Sequence, residues 1–334
     1  MTSHHFPLRR ETSDTKDNSA NNYTKYGLRH EPPKNISCIV IMNMSMPTSL
    51  PSNEPSEGFI TNDNLRIHYY VAGQGPLLVL LHGFPENAES FRPQLLEFSK
   101  KYTVVCPTLR GYSPSDTPDD SDAYQLGLVV EDILAILNYF EAEKAVVGGH
   151  DFGGAAIQLL SLLHPDRVAG LIIINSPIVP RFYDLVNFDD EQQKLSVYTI
   201  PYINYQPGDP IDIDYIVRNI RDDTRREAVR DYLATAPVHG MLAYYKKNFP
   251  GPPYGQKVNT SMMLYQVPTL IIWGLEDEYF SLKMLDSIPQ HFMESTRLVT
   301  IPRAGHWAFR DQPSKVNREI WSWLAELEPD HHSE

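Results

Sequence analysis

The sequence predicts an α/β fold, a mostly parallel sheet flanked by helices with one helical segment inserted into it. Three observations predict it. From Gly58 onward, short β-branched or Leu-rich runs alternate with longer helical stretches, the pattern of consecutive β-α units. The runs are apolar almost without interruption, which suits strands covered on both faces. The alternation breaks once, between Pro180 and Pro268, where helical segments, prolines and tyrosines replace it.

The first 57 residues are rich in Ser, Thr, Asn and Pro without periodicity, and read as a disordered arm. Its apolar patch, "CIVIMNMSM", is too short to span a bilayer and begins too far along for an ordinary signal peptide. Arg9 and Arg10 hint at a transit peptide, which Glu11, Asp14 and Asp17 argue against. Met42, Met44 and Met46 leave open that the arm stems from an upstream start codon.

Residues 58–177 form the first part of the core. Its expected strands are "LRIHYYVA", "LLVLLH", "TVVCPT", "AVVGGH" and "GLIIINS". Between the third and fourth, "AYQLGLVVEDILAILNYFEA" carries Leu126, Val130, Ile133, Leu134 and Leu137 at helical spacing, the stripe of a sheet-covering helix. Residues 178–264 read as a helical lid, placed to close a pocket at the carboxyl ends of the strands, where open α/β sheets bind ligands. Met241, Met262 and Met263 are assigned to core rather than to a pocket wall. Residues 265–328 complete the core with strands "TLIIWG" and "TRLVTIP" and a last helix, "SKVNREIWSWLAEL", whose stripe is Val316, Ile320, Trp323 and Leu324. A tail, 329–334, follows.

Composition narrows the partners. A net charge of -13 and the lack of a long Lys/Arg cluster argue against nucleic acid. Two cysteines, Cys38 and Cys106, are too few for a disulfide framework or a cysteine metal site, and fit a reducing compartment, the cytoplasm. His4, His5, His331 and His332 lie in polar termini, so no metal is expected.

The chemistry is carried by three loops, each following a strand. In "AVVGGHDFGGAA", Gly149, Gly153 and Gly154 surround Asp151 in the pattern of a nucleophile elbow. There a strand turns sharply into a helix, and a side chain two residues to either side would collide. The helix behind Asp151 offers a positive dipole end and amide N–H groups. "LLVLLHGFPE" ends a strand with His82, Gly83, Phe84 and Pro85, a turn that aims the Phe84 amide at the site to pair with that of Phe152 as an oxyanion hole. "LIIWGLEDEYF" supplies Glu276, Asp277 and Glu278, and "VTIPRAGHWAFRDQP" supplies His306. The order nucleophile, acid, base is that of a hydrolase triad. Asp277 fixes the imidazole tautomer, and the other nitrogen of His306 takes a proton from water. Singly, Asp277 reads as a helix cap and His306 as a surface residue. Together they make a triad.

With these motifs in place, Gly58 to Leu327 resembles an α/β-hydrolase of the epoxide hydrolase family. "HGFP", "RGYSPSD", "GHDFGG", "WGLED" and "AGHW" occur in the family's order, and an aspartate nucleophile sets the chain apart from serine esterases and lipases. The resemblance implies an α/β-hydrolase fold and hydrolysis of a small apolar epoxide to a vicinal diol through an ester on Asp151. It implies no cofactor, no metal and no membrane span, in a monomer or homodimer. It also implies two lid tyrosines that donate hydrogen bonds to the epoxide oxygen. "MLAYYKKNF" places one at Tyr245. "IPYINYQPG" matches the other best at Tyr202, but lacks a residue before its Pro-Gly, leaving Tyr198 and Tyr205 as alternatives. His82, Pro85, His150 and Trp307, within or beside these motifs, are expected to contact substrate.

Phe152 replaces the tryptophan that the family and its dehalogenase relatives place after the aspartate, and Phe84 has no side-chain amide. Both changes remove halide donors and favour epoxide over alkyl halide. Nor does "GHDFGG" carry an arginine after the nucleophile, as haloacid-type dehalogenases do. The alternatives are a haloalkane-type dehalogenase using the same Asp151 and a non-catalytic small-molecule receptor of the same fold.

Overall fold

A computed structural model describes residues 55–327. The expected arm up to residue 54, with Cys38, and the tail beyond residue 327 lie outside them.

The strands are β1 (Ser56–Asn62), β2 (Leu65–Ala72), β3 (Leu77–Leu81), β4 (Thr103–Pro107), β5 (Ala145–His150), β6 (Val168–Ile174), β7 (Thr269–Gly274) and β8 (Thr296–Ile301). They form one sheet in the order β1-β2-β4-β3-β5-β6-β7-β8. β2 pairs antiparallel with β1 and β4, and every other pair is parallel. β3, β5 and β7 are buried along their whole length. That explains why their sequences read as continuous apolar runs rather than alternations.

β1 was not expected, since the core was taken to begin at Gly58. "SEGFITN" buries only Ile60, so its apolar signal is faint. The strand is fixed by a two-residue hairpin at Asp63 and Asn64, with φ of 46° and 66°, the left-handed pair that a tight antiparallel turn needs.

The helices of the core are α1 (Arg92–Phe98), α2 (Leu126–Tyr139) and α3 (Asp151–Leu163). Six more, α4 (Val179–Phe188), α5 (Asp190–Leu195), α6 (Thr199–Asn204), α7 (Ile213–Val217), α8 (Asp223–Thr235) and α9 (Val238–Asn248), stand between β6 and β7. α10 (Ala308–Asp311) and α11 (Pro313–Leu327) end the described chain. α2 packs on α3, and α1 on α11. α11 buries Val316, Ile320, Trp323 and Leu324, the stripe its periodicity marked. α2 buries Val129 and Ile136 in addition to Val130, Ile133 and Leu137. Leu126 and Leu134 of the expected stripe are only half buried.

The methionine assignment needs one correction. Met241 is core, but Met262 is 76% exposed, because it lies in the irregular chain between α9 and β7 with no element over it. Among the described residues, no helix is long and apolar enough to cross a membrane.

Because β3, β5, β6, β7 and β8 run parallel, the residues that follow each of them emerge at one edge of the sheet. Phe84, Asp151, Asn175, Asp277 and His306 are therefore neighbours despite being spread over more than two hundred residues of chain. That edge is where a ligand site forms in such sheets.

Candidate active site

Asp151 opens α3 directly from the end of β5 and has φ of 52°. For a non-glycine residue this left-handed backbone costs about 1–3 kcal/mol and persists only where neighbours enforce it. The glycines are what allow the turn. A Cβ on Gly149 would stand 2.6 Å from the Gly153 carbonyl, and one on Gly153 would stand 2.3 Å from the His82 carbonyl. On Gly154 it would meet the Ser176 Cβ at 2.3 Å, and on Gly83 it would meet the Asp151 side chain at 2.4 Å. Ser176 closes the turn by donating its hydroxyl to the Asp151 carbonyl at 2.8 Å.

The Asp151 carboxylate is almost fully enclosed, and its Oδ1 accepts the Phe84 N–H at 2.8 Å. The Phe152 N–H also bonds to it. Burial raises the Asp151 pKa above the usual carboxylate value, while His306 and these two amides pull against that rise. Its Oδ2 lies 3.9 Å from Nε2 of His306.

His306 is buried, with Nδ1 3.0 Å from Oδ2 of Asp277. Burial disfavours its protonation, but the charge and hydrogen bond of Asp277, then the charge of Asp151, outweigh this, so its pKa is raised above 6.5. Asp277 itself is inaccessible. Its Oδ1 accepts the N–H groups of Tyr279 (2.8 Å) and Phe280 (3.1 Å), which fix the carboxyl group in place. Glu276 and Glu278, which flank it, turn outward to Arg221. Of the three acids in "LEDEYF", Asp277 alone pairs with His306.

Sequence reasoning missed Asn175. Just past β6, with φ of 41°, it donates Nδ2–H to Asp277 Oδ2 at 2.7 Å and accepts the Gly274 N–H at 3.0 Å. It therefore clamps the acid from the neighbouring strand. A polar residue ending the buried run "LIIIN" at the ligand edge was the available signal. Asn175→Gly keeps the backbone conformation and removes the amide. It is expected to lower kcat about tenfold, as loss of such supporting groups does. The acid limb of the pH-rate profile should move to higher pH, because Asp277 with one donor fewer holds the His306 proton more tightly. An unchanged profile would refute this role.

Two histidines expected to contact substrate do something else. His82 accepts the Leu109 N–H at Nε2 (3.0 Å), so its proton is on Nδ1, which donates to the Gly83 carbonyl at 3.0 Å. With both nitrogens engaged and burial pushing its pKa down to about 3, it is a neutral brace for the turn that presents Phe84. His150 donates Nε2–H to the His306 carbonyl at 3.0 Å, and its ring lies 4.5 Å from that of His306. Burial, then the closeness of His306, lowers its pKa well below 6.5. It holds the base in place and does not line the cavity.

Above Asp151 is a narrow cavity lined by Phe84, Pro85, Asp151, Tyr198, Tyr202, Ile216, Arg218, Tyr245, Tyr279, His306 and Trp307. Pro85 and Trp307 thus stand where substrate contacts were expected, and Tyr205 is not in the wall. Tyr245 is buried, its ring 4.8 Å from Phe152 and 5.3 Å from Phe84. The buried Tyr244 beside it donates to the Arg110 carbonyl at 3.0 Å, and Arg110 makes two 2.7 Å bonds to the buried Asp132. The "RGYSPSD" loop thereby fastens α9, and so Tyr245, to the core.

Tyr198 and Tyr202 are four residues apart, at the start and within α6, so they share a face one helical turn apart. The Tyr198 and Tyr245 phenols share a hydrogen bond, and the Asp151 charge acts on both. Burial first, then neighbouring phenols and Asp151, holds both hydroxyls protonated far above 10. The charges that act on Tyr202 are instead those of Arg218, Tyr215 and Asp212. Tyr202, the expected first donor, and the alternative Tyr198 both line the cavity with Asp151; the Tyr202 ring lies 5.6 Å from that of Phe84 and 5.2 Å from that of Tyr245. Among the described residues, no group of three or more His, Cys, Asp or Glu could hold a metal.

A family model described as alpha/beta hydrolase fold matches residues 76–201. Epoxide hydrolase 4 of Mus musculus is 30% identical over 299 residues, covering 82% of this chain and 82% of the relative. Epoxide hydrolase 3 of Xenopus tropicalis is 31% identical over 285 residues, covering 79% and 76%. The crystal structure of Bacillus megaterium epoxide hydrolase in complex with an inhibitor superposes with a TM-score of 0.71 at 26% identity, covering 80% of this chain and 100% of that one.

Proposed function

The chain belongs to the epoxide hydrolase family of the α/β-hydrolase fold, and we propose that it turns an epoxide and water into a vicinal diol through an ester formed on Asp151. One observation carries this reading. A buried carboxylate stands with Oδ1 held by the Phe84 N–H and Oδ2 3.9 Å from His306, at the floor of a cavity walled by paired phenols.

Asp151 attacks one ring carbon while Tyr198 and Tyr245 donate to the ring oxygen as it becomes an alkoxide. Neutral phenols are suited to this, since they remain donors at physiological pH. His306, held by Asp277, then deprotonates a water that attacks the Asp151 carbonyl carbon. The Phe84 and Phe152 amides receive the tetrahedral oxyanion. An aspartate is needed because the electrophile lacks a carbonyl: an ether to serine could not be released, whereas an ester to aspartate is hydrolysed at its own carbonyl. The helices of 178–264 act as the lid that supplies the phenols and keeps bulk water out. A monomer or homodimer fits, because one chain supplies all these groups, and the buried free thiol of Cys106 fits a reducing cytoplasm.

The deciding experiment offers a styrene-type epoxide, an aliphatic epoxide and an alkyl halide to the wild type. Diol from the epoxides is expected. Halide release without diol would make the chain a dehalogenase, and no turnover of any of the three would favour a receptor.

Tyr245→Phe and Tyr198→Phe are each expected to lower the alkylation rate 10–100-fold, the scale of losing a charge-assisted hydrogen bond to the alkoxide. Tyr202→Phe should lower it severalfold at most. An equal or larger loss in Tyr202→Phe would restore Tyr202 as the donor.

The pH dependence follows from charge. In the resting enzyme, His306 is protonated up to a pKa raised above 6.5, partly by Asp151. Esterification cancels that carboxylate charge, so the imidazole loses its proton more readily when it must act as base. The acid limb of ester hydrolysis should therefore lie below the pKa read from the His306 ring by NMR in the free enzyme. Coincidence of the two would contradict this coupling.

A further inference from the structure

One residue of the inserted helices reaches both loops that carry the acid and the base. Arg221, between α7 and α8, has its guanidinium 3.0 Å from Glu276 and 3.3 Å from Glu278, the acids on either side of Asp277. Its Nε lies 3.6 Å from Asp311, and its Nη1 donates to the Arg303 carbonyl at 3.4 Å. Asp311 in turn accepts the N–H of Gly305, the residue before His306, at 2.8 Å. The two loops also meet directly, where the Glu276 N–H donates to the Ala304 carbonyl at 2.9 Å. Gly305 is what admits the guanidinium. A Cβ there would stand 2.9 Å from Nη2 of Arg221 and 2.9 Å from Oε2 of Glu278, so a larger residue would have to displace one of them.

Charge is unevenly matched in this cluster. Three carboxylates share the guanidinium, and two of them act on His306. Glu278 favours its protonation. Asp311, whose pKa burial raises first, is pulled back by the Gly305 amide, by Arg221 and by His306. Oε2 of Glu278 is buried with no hydrogen-bond partner among the described residues, which leaves Arg221 as the cation beside it. The other groups facing His306 are Asp277 and Asp151, which favour its proton, and His150, kept neutral at 4.5 Å between ring centres. Arg218 and the phenols of Tyr198, Tyr202, Tyr245 and Tyr279 share the cavity wall with it. Without Arg221 the three carboxylates lose their cation, and an imidazolium next to them is favoured.

We infer that Arg221 is a positioning residue: from the lid it holds the acid loop and the base loop in register and balances the carboxylates behind His306, so that the imidazole is an effective base only while the lid is seated. This rests on the epoxide hydrolase reading and deepens it, because hydrolysis of the ester is then confined to the closed enzyme.

The test follows single turnovers of a styrene-type epoxide by Arg221→Met, Arg221→Lys, Glu278→Gln and the double variant Arg221→Met/Glu278→Gln, with the titration of the His306 ring read by NMR in each free enzyme. Arg221→Met should move that titration and the acid limb of ester hydrolysis together to higher pH, slowing hydrolysis about threefold on the acid side and less on the alkaline plateau. Arg221→Lys keeps the charge without the planar fork, so it should hold the pH position and lose part of the plateau rate. Glu278→Gln, which keeps Arg221, should move the titration to lower pH. The double variant gives up one carboxylate with the cation and should return both profiles most of the way to the wild type. A His306 titration unmoved in Arg221→Met, or a double variant shifted further from the wild type than Arg221→Met, overturns the inference and leaves the epoxide reading standing, because the titration needs no substrate. Ester formation slowed as much as its hydrolysis would make Arg221 a structural tie alone and overturn the inference too. A wild type that forms neither ester nor diol overturns the epoxide reading and the role of Arg221 with it.

Discussion

Asp151→Ala is expected to reduce kcat/KM for every epoxide at least about 10⁴-fold, a loss of about 5 kcal/mol or more of transition-state stabilisation. No neighbouring group can replace it. Asp277 is enclosed by four donors, from Asn175, His306, Tyr279 and Phe280, and Glu276 and Glu278 face Arg221. Stability should move the other way or not at all. The wild-type site buries a carboxylate against its preference for water, as its raised pKa records, and alanine removes that cost. The Phe84 and Phe152 amides it frees lie at the cavity, where water can take the vacated place. Kinetics and a melting curve on the same preparation check both halves. Retention of more than about one hundredth of the activity would show that water is activated without a covalent ester, and a large fall in melting temperature would show that Asp151 holds the elbow together.

The sequence made this residue visible because the elbow constrains the chain sterically. Four positions around Asp151 have no room for a Cβ, so composition records the geometry. The sheet was visible for a similar reason, since strands buried on both faces must be continuously apolar. What stayed hidden depends on contacts between distant segments. Asn175 acts on Asp277 through a bond that joins residues 102 apart. His82 and His150 sit in active-site motifs, yet His82 spends both ring nitrogens on backbone and His150 its Nε2, and only the structure separates a histidine that braces the site from one that touches substrate. The choice among Tyr198, Tyr202 and Tyr205 was open because helical residues four apart share a face, and the gap before "PG" blurred the register. Arg218 follows a five-residue helix whose sequence carries no sign that it joins the cavity.

His306→Gln is expected to stop turnover after one event, lowering steady-state kcat about 10⁴-fold and leaving the substrate attached to the protein. Alkylation needs the Asp151 carboxylate and the two phenols, and these remain. Hydrolysis needs a base, and glutamine is none. The site should survive the change. Asp277 keeps Asn175 and two backbone donors, and the bond from His150 is to the carbonyl of residue 306, which any side chain retains. Intact-mass measurement after a single turnover should then show an increase equal to the mass of the epoxide, and peptide analysis should place it on Asp151. Alkylation itself should need a somewhat higher pH than in the wild type. His306 lowers the Asp151 pKa in the native site, and without it burial holds the proton on more strongly. Paired with Asp151→Ala, the variant separates two mechanisms that steady-state rates alone would confuse. If Asp151 were a general base that activates water directly, both variants would be slow and neither would carry an adduct. If it is the nucleophile, His306→Gln carries one equivalent of adduct and Asp151→Ala carries none.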